Sequence, residues 1–287
     1  MKTIPLRFIN TSPKQLNEFE NFSIRNLSEF MGGNDIIQDT HRHDYFFILA
    51  LSKGKGDHTI DFISYRIMNN TIFFMRPGQV HQLKLNAGSQ GYLIQFKRDF
   101  YLSNEKDKRL LLRKASSKNI IQPDYKTFKK LIAVLGEILN ESKNRNERYS
   151  DVIKANLSIF FIGLVRFIQK NQSDSDEISA FQQDRLEEFS ELLNAHISKN
   201  KQPAEYANML NLTPYQLNKI TKTAFGKTSS EFINEQIILE SKRYLLSTSN
   251  QIKEIAYHLG YEDTSYFIRF FKKHTGLSPE AFRSNFI

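Results

Sequence analysis

The chain has 287 residues, which fits two domains of ordinary size better than one small core. It contains no cysteine, so disulfide bonds, thiolate metal sites and cysteine nucleophiles are excluded. The formal net charge of +9 suits a polyanionic partner but does not identify one.

Hydrophobic residues make up 40% of the chain, which is enough for packed cores, so wholesale disorder is not expected. The start, "MKTIPLRFINTSPKQ", lacks the apolar run of a signal peptide, and no later window approaches a membrane span. We therefore expect a cytoplasmic protein without membrane contact.

Residues 1–97 are predicted to form β-structure. Four short runs rich in Phe, Ile, Tyr and Leu are punctuated by Gly, Pro and Asn, namely "YFFILALSKG", "DHTIDFISYRI", "NTIFFMRPG" and "GYLIQFKRDF". Because no helical pattern separates them, they favour an antiparallel barrel or sandwich. The "KGKG" segment at Lys53 to Gly56 is typical of a hairpin connection, since no helix follows it to form a nucleotide-binding loop.

Between residues 98 and 170 the apolar period becomes helical, and two long helices are predicted. Their apolar stripes are Phe128, Leu131, Ile132, Leu135 and Leu139 in the first, and Val152, Leu157, Phe160, Phe161, Leu164 and Ile168 in the second. The second helix is apolar around much of its circumference, so it requires burial on more than one side. The pair can pack against the barrel or form a subunit interface. We favour dimerisation, because symmetric dimers are the commonest oligomers.

Residues 171–183 are polar and almost free of large apolar groups, which predicts a linker. Residues 184–287 are predicted to be helical throughout. The boundary signals are Thr213-Pro214 and Ser278-Pro279 at helix starts, and Gly226, Gly260 and Gly276 at helix ends.

The stretch "KEIAYHLGYEDTSYFIRFFKKHTGLSPE" has the layout of a helix-turn-helix unit. Such a unit needs a small residue where its helices approach, a sharp turn four residues later, and apolar anchors in the second helix. Ala256 and Gly260 meet the first two needs. The predicted anchors are Phe267, Phe270 and Phe271.

The same layout recurs about fifty residues earlier, in "EYANMLNLTPYQLNKITKTAFGKTSSEF". Ala207 is the small contact, and Asn211 stands at the turn, since asparagine tolerates the left-handed conformation. Leu217 and Ile220 are the anchors. A connecting helix of roughly twenty residues covers about 30 Å, close to the separation of about 34 Å between successive major grooves. The spacing therefore favours two recognition helices on one face of DNA.

The outward side chains of the two predicted recognition helices are the candidate DNA contacts. They are Tyr215, Gln216, Asn218, Lys219 and Lys222 in the first helix, and Thr264, Ser265, Arg269, Lys272 and Lys273 in the second. Amide and guanidinium groups can read base edges, so Gln216, Asn218 and Arg269 are assigned to bases and the lysines to phosphates. A solvated helix face is the alternative for each residue, and Tyr215 has the further alternative of sealing the turn.

These motifs carry a family resemblance. The region from about Arg185 to Arg283, above all "SNQIKEIAYHLGYEDTSYFIRFFKKHTGLSPEAFR", resembles the DNA-binding domain of the AraC/XylS family of bacterial transcriptional regulators. The resemblance implies a seven-helix module that binds double-stranded DNA, usually as a homodimer, and contact with RNA polymerase. The chain is then a multidomain protein, with an all-β cupin-like barrel, an α-helical dimerisation segment and an all-α domain with two helix-turn-helix units.

"HRHDYFFILALSKGKG" and "FFMRPGQVHQLKL" resemble the cupin-type sensor half of many members of that family. Three histidines match the metal-binding cupin pattern, but Phe47 and Ile48 stand where catalytic cupins have a fourth ligand, a glutamate. Three imidazoles can still hold a metal with open positions, yet the pattern is incomplete, and no metal or other cofactor is assigned. The histidines either are retained barrel architecture or line a pocket for an organic effector. The candidate effector-binding residues are His41, His43, Tyr45, His81, Tyr92 and Gln95.

The leading hypothesis is a transcriptional regulator, without enzymatic activity, whose barrel binds a small-molecule effector that changes DNA binding. It would be cytoplasmic, and associated with the nucleoid when bound to DNA. One alternative is a metal-dependent cupin enzyme with an appended DNA-binding module, and another is a constitutive DNA-binding protein without an effector. No catalytic residue is assigned, and the remaining histidines, including His58, are interpreted as scattered.

Overall fold

The structure is a computed structural model that describes residues 5–7, 9, 21–102, 106–171 and 180–285. Its contacts divide the chain into two compact units, one within Pro5–Gln172 and the other within Ser173–Ile287. The first unit is rich in β-strands and the second is helical, which confirms the predicted fold class. None of the helices in the described ranges is long and apolar enough to cross a membrane.

The described part of the N-terminal unit contains two five-stranded sheets. The first comprises β1 (Leu6–Arg7), β3 (Ile36–His43), β5 (Gly56–Ile60), β6 (Ile63–Ile67) and β8 (Val80–Leu85), in the order β1-β3-β8-β5-β6. The second comprises β2 (Phe22–Asn26), β4 (Phe46–Lys53), β7 (Thr71–Met75), β9 (Gln90–Phe96) and β10 (Ile120–Ile121), in the order β10-β7-β4-β9-β2. The β1–β3 pair is parallel, and the other described pairs are antiparallel.

The predicted run "DHTIDFISYRI" forms two strands. It folds into the β5–β6 hairpin through Asp61 and Phe62, which have φ values of 46° and 71°. Two positive φ values at a two-residue turn match the right-handed twist of the paired strands, which is why the chain reverses there without a glycine. The "KGKG" segment connects β4 to β5, but these strands lie in different sheets and do not pair, so the hairpin predicted there was wrong.

The second sheet is buried on both faces. Phe47 and Leu49 on β4 point into the core between the sheets, whereas Phe46 and Ile48 pack into a separate core under the helices. A strand buried on both sides needs apolar residues at every position, which explains the unbroken apolar run of β4.

Five helices belong to the described part of the N-terminal unit: α1 (Leu27–Met31), α2 (Arg98–Tyr101), α3 (Lys106–Ala115), α4 (Tyr125–Asn144) and α5 (Tyr149–Lys170). The apolar stripes of α4 and α5 pack against the second sheet, where the Phe74 and Phe161 rings stack with centroids 5.6 Å apart. The buried stripe therefore belongs to the core of this unit and is not a subunit interface. Val152 was wrongly placed in that stripe, because it is exposed and Ile153 is buried in its stead.

The second sheet shares a core with α4 and α5, so the structure has no boundary at residue 97. Strand β10 lies within the predicted helical segment and pairs with β7. Of the predicted linker, residues 172–179 lie outside the described residues. Its last residues are helical, since the next helix begins at Ala180.

The described part of the second unit consists of seven helices. They are α6 (Ala180–His196), α7 (Pro203–Met209), α8 (Pro214–Phe225), α9 (Ser229–Ser247), α10 (Ile252–His258), α11 (Thr264–Thr275) and α12 (Pro279–Asn285). Helices α8 and α12 begin at the predicted prolines, and the predicted glycines Gly226, Gly260 and Gly276 all have positive φ. These boundary predictions are confirmed.

Candidate functional site

The helical C-terminal part of the chain contains two helix-turn-helix units with the same backbone geometry. In the first, Asn211 has a φ of 54°, and the Leu212 amide donates a hydrogen bond to the Ala207 carbonyl at 2.8 Å. In the second, the Tyr261 amide donates to the Ala256 carbonyl at the same distance. Both alanines are fully buried between their helices. The predicted small contacts and turn positions are confirmed.

The apolar anchors fix the second helix of each unit across the first. Leu217 and Ile220 on α8 are buried, as are Phe267 and Phe271 on α11. Phe270 was also predicted as an anchor, but it is only half-buried. Positions four apart share one helix face, so Phe267 and Phe271 occupy the centre of that face and Phe270 its flank.

Four of the five predicted DNA contacts on α8 are exposed: Tyr215, Gln216, Lys219 and Lys222. Tyr215 is 77% exposed, so it does not seal the turn. The Gln216 Oε1 atom accepts a hydrogen bond from the Thr213 amide at 2.8 Å, which completes a capping box at the start of the helix. Gln216 as a residue is exposed, and its amide nitrogen carries two N–H donors.

Asn218 differs from its neighbours on α8. It is half-buried, and its Oδ1 atom accepts a hydrogen bond from the Ser229 amide at 3.1 Å. Ser229 is the first residue of α9, so the Asn218 side chain joins the recognition helix to the connecting helix. The assignment of Asn218 to a base edge is therefore corrected to a structural role.

The predicted contacts on α11 lie mainly on its outer face. Ser265, Arg269, Lys272 and Lys273 are exposed, and Thr264 is half-buried. The Arg269 Nη2 atom lies 3.8 Å from Asp263 Oδ2, and both side chains are more than 60% exposed, at 68% and 62%. Such a pair contributes little stability, so Arg269 can leave it for another acceptor.

Tyr266 was not predicted but shares the outer face of α11. It is 55% exposed, and it stands at the position in α11 that Gln216 occupies in α8. The fifty-residue repeat could have predicted this residue, because aligning the starts of α8 and α11 places Tyr266 at the position of Gln216.

The turn of the second helix-turn-helix unit contacts the loop before α7. The Lys201 ammonium donates to the Gly260 carbonyl at 2.9 Å and lies 4.8 Å from the centre of the Tyr261 ring. A Cβ atom on Gly260 would lie 1.6 Å from the Ser198 carbonyl oxygen. The two helix-turn-helix units are therefore held together by this direct contact as well as by α9.

Four buried histidines meet in the first sheet of the N-terminal unit. His41 and His43 lie on β3, His58 on β5 and His81 on β8, each at most 3% exposed. His41 pairs directly with His81 across the β3–β8 ladder. The Nε2 atoms of His43 and His81 are 2.7 Å apart, and His58 Nε2 is 2.9 Å from His81 Nδ1.

The environment of the histidine cluster keeps its members neutral. Burial lowers the pKa of His41 to about 4 and the pKa of His43 and His58 to about 3. The pKa of His81 is also lowered by burial, and then by the neighbouring imidazoles. One ring nitrogen from each of His41, His43 and His81 lies within 4.8 Å of the other two, so this set could hold a metal ion.

Five of the six predicted effector-binding residues lie near one another. Besides the three histidines these are Tyr45, whose ring centre is 4.3 Å from that of His43, and Gln95, whose amide donates to the Tyr45 hydroxyl at 2.9 Å. Burial raises the pKa of Tyr45, so its hydroxyl stays protonated. Tyr92 was wrongly included. Successive strand residues point to opposite faces, and Tyr92 packs in the core under the helices.

The sequence interpretation missed His58 as a member of the cluster. In β5 it lies two residues from Ile60, which pairs with His81 across the β5–β8 ladder. Alternation along "DHTI" would have predicted an inward His58, but only the strand order places β5 beside β8.

Comparison with known proteins bears on both sites. The AraC-like ligand binding domain family matches residues 33–152, and a helix-turn-helix domain family matches residues 206–285. The chain belongs to the AraC family of transcriptional regulators. In this AraC-type regulator, the histidine cluster lies within the ligand-binding match, and both recognition helices, α8 and α11, lie within the second match.

Known proteins resemble this regulator along half of its length or more. The HTH-type transcriptional activator RhaR of Mannheimia succiniciproducens is 23% identical over 257 residues, covering 86% of this chain and 87% of RhaR. The arabinose operon regulatory protein of Escherichia coli is 25% identical over 152 residues, covering 53% and 50%. The crystal structure of unsaturated fatty acid bound ToxT from Vibrio cholerae aligns with 94% of this chain and 96% of ToxT, at 20% identity and a TM-score of 0.41.

Proposed function

We propose that this regulator binds a specific promoter site in double-stranded DNA by placing α8 and α11 in two successive major grooves. The repeated turn geometry carries the proposal, because it gives both helices the same anchoring and an exposed polar row. The direct contact of Lys201 with the second turn supports a fixed separation between the helices.

Within each row, chemistry separates base contacts from phosphate contacts. Gln216 and Arg269 carry planar groups with several donors, which suit base edges in the major groove. Lys219, Lys222, Lys272 and Lys273 are exposed point charges that suit phosphates. Tyr215, Thr264 and Ser265 complete the surface with hydroxyl groups that suit the sugar-phosphate backbone.

We propose a homodimer formed through the outer face of α5. Val152, Ala155, Ile159 and Ile162 are exposed on that helix at alternating spacings of three and four residues. This is the spacing of a coiled-coil seam, so a second copy of α5 can cover it. The two DNA-binding units of a dimer would then occupy repeated sites.

The regulatory input is proposed to be an effector bound at the histidine cluster of the barrel, with Tyr45 and Gln95 beside it. Effector binding would change the affinity for DNA by differing contacts in two states of the protein. Contact with RNA polymerase would convert DNA binding into a change in transcription, in the bacterial cytoplasm. No enzymatic step is part of this proposal, and the named relatives are transcriptional regulators.

Selection of bound DNA from a random pool tests the proposed DNA binding. We expect one enriched site with repeated elements, and binding that weakens steeply with salt. Removing both charges in Lys272→Ala/Lys273→Ala should weaken binding and lower the salt slope by about two. The matched control is Lys129→Ala/Lys130→Ala, which removes two exposed charges from α4. Enrichment of no site, or equal effects of the two double variants, would contradict the proposal.

A further inference from the structure

We propose that the effector of this regulator is a divalent transition-metal ion, bound by the Nε2 atoms of His41, His43 and His81. The inference rests on the proposed regulation by an effector in the barrel, and it names the chemical class of that effector. Imidazole nitrogens favour zinc, cobalt, nickel, copper or iron over magnesium and calcium, which prefer oxygen ligands.

The hydrogen bond of His41 fixes which of its nitrogens can bind a metal. His41 Nδ1 lies 2.6 Å from the Asp39 carbonyl oxygen, which can only accept, so Nδ1 carries the proton. Nε2 therefore has a free lone pair, and it is buried without a hydrogen-bond partner. A buried lone pair without a partner is costly, whereas a metal ion satisfies it.

His58 can orient His81 in the same way. The His81 Nδ1–H can donate to His58 Nε2 at 2.9 Å, which leaves the His81 Nε2 lone pair for a metal. In the metal-free protein that Nε2 atom accepts a hydrogen bond from His43 Nε2–H at 2.7 Å, so metal binding also requires His43 to lose the proton from Nε2. Two ligands of tetrahedral zinc lie roughly 3.3 Å apart, given Zn–N bonds of about 2.0–2.1 Å. Loading therefore requires these two rings to separate by roughly 0.6 Å.

The packing of the barrel suits an ion better than an organic molecule. The space between the sheets is filled by buried apolar side chains such as Leu49, Phe73 and Leu83. A drug-sized ligand needs a cavity of several hundred Å³. The four histidines are each at most 3% exposed, so they lie inside this packed interior.

The donor set leaves at least one coordination position open. Phe47 stacks on the His43 ring with centroids 5.6 Å apart, so this neighbour provides no ligand atom. Three histidines and one exchangeable position form a known zinc geometry. Water would complete the coordination.

The test titrates chelator-treated, full-length protein with Zn²⁺ by calorimetry and with Co²⁺ by visible absorption. We expect one ion per chain and the d–d bands of low-coordinate Co²⁺. His41→Asn keeps a donor for the Asp39 carbonyl but removes Nε2, and it should weaken binding at least tenfold. His58→Gln should weaken binding 10- to 100-fold through the orientation of His81. His274→Gln, on an exposed histidine, is the control and should bind like the wild type.

The same samples are then assayed for binding to the selected DNA site with and without Zn²⁺. A change of affinity in the wild type that is absent in folded His41→Asn supports the proposal. Absence of stoichiometric metal binding by the folded wild type, or metal binding without any change in DNA affinity, overturns it. In both of those cases, retained DNA binding by the metal-free protein would leave the proposed DNA-binding function standing.

Discussion

Asn218 and Lys219 are neighbours on α8, yet their side chains have different roles. The Asn218 amide is half-buried and holds the first residue of α9, whereas the Lys219 ammonium is exposed. Burial also determines charge in the barrel, where it keeps the four imidazoles of the cluster neutral. Residue type alone suggests a role, and burial with hydrogen-bond partners determines whether the side chain can perform it.

Arg269→Ala and Lys272→Ala should differ in how they change DNA binding. The Arg269 guanidinium can form two hydrogen bonds with a guanine edge, so its loss should cost about 1–3 kcal/mol and relax specificity at one base pair. Loss of the Lys272 charge should weaken all sequences about equally and reduce the salt slope by about one. Binding to a panel of single-base operator variants measures both effects. Identical profiles for the two variants would refute base reading by Arg269.

Acid should destabilise the metal-free protein through the histidine cluster. The folded-state pKa values of His41, His43 and His58 lie at about 4, 3 and 3, below the ordinary value of 6.5. Unfolding therefore takes up protons below pH 6.5, so stability is retained above that pH and falls as the pH decreases towards the folded values. Each histidine contributes up to about 1.4 kcal/mol per pH unit in that window. Urea unfolding of the wild type between pH 7.5 and 5 measures the loss, and a constant midpoint would contradict it.

Helix α9 and the turn at Gly260 together determine how the two helix-turn-helix units are held. Helix α9 has 19 residues, which corresponds to about 28 Å. The turn at Gly260 adds a second connection, because its backbone packs against the Ser198 carbonyl and accepts a hydrogen bond from Lys201. Two connections resist bending and rotation better than one helix alone.

Gly260→Ala should lower the stability of the protein more than Gly276→Ala. Both glycines have positive φ, 76° and 79°, so alanine at either site costs about 1–2 kcal/mol in backbone strain. At Gly276 there is open space for the new Cβ, whereas at Gly260 it would overlap the Ser198 carbonyl. We expect a larger loss of stability for Gly260→Ala, and weaker binding to the two-groove site. Thermal unfolding and DNA titration measure both, and equal losses would contradict the docking of this turn.

The helical elements were predictable because their boundaries have strong local signals. In the structure, helices begin at Pro214 and Pro279, and each of the three left-handed glycines follows the C-terminal end of a helix. The β5–β6 hairpin was missed because its turn uses Asp61 and Phe62, and bulky aromatic residues rarely adopt positive φ.

The histidine site was predictable only in part. Three of its members follow from a family pattern, but His58 joins them through the neighbouring position of β5 and β8, a long-range pairing. Tyr92 was assigned to the wrong face because the register of β9 follows from its neighbours and not from its own residues.

At the scale of the whole molecule, one core joins the second sheet to the long helices of the N-terminal unit. Phe74 from the sheet and Phe161 from α5 share that core, so the buried stripe of α5 is not available to a partner. The exposed seam that begins at Val152 lies on the opposite side of the same helix. The proposed dimer therefore depends on outward residues of which the hydrophobic pattern named only Val152, and it placed Val152 in the apolar stripe.

Ile159→Glu/Ile162→Glu should convert the proposed dimer into monomers. The two side chains are 56% and 39% exposed, so charges there disturb the fold little but oppose a second copy of α5. Sedimentation over a range of concentrations measures the mass. Tyr125→Glu, which alters a 69% exposed residue on α4, is the control and should leave the mass unchanged. A wild-type monomer, or a double variant that still dimerises, would contradict the proposed interface.

Hydroxyl-radical footprinting of the regulator on its selected site tests the paired recognition helices most directly. Each chain should protect two segments on one face of the duplex, separated by about 10–10.5 base pairs. Gln216→Ala should weaken protection of one segment, and Arg269→Ala protection of the other. A single protected segment per chain, or two segments on opposite faces of the DNA, would contradict the account.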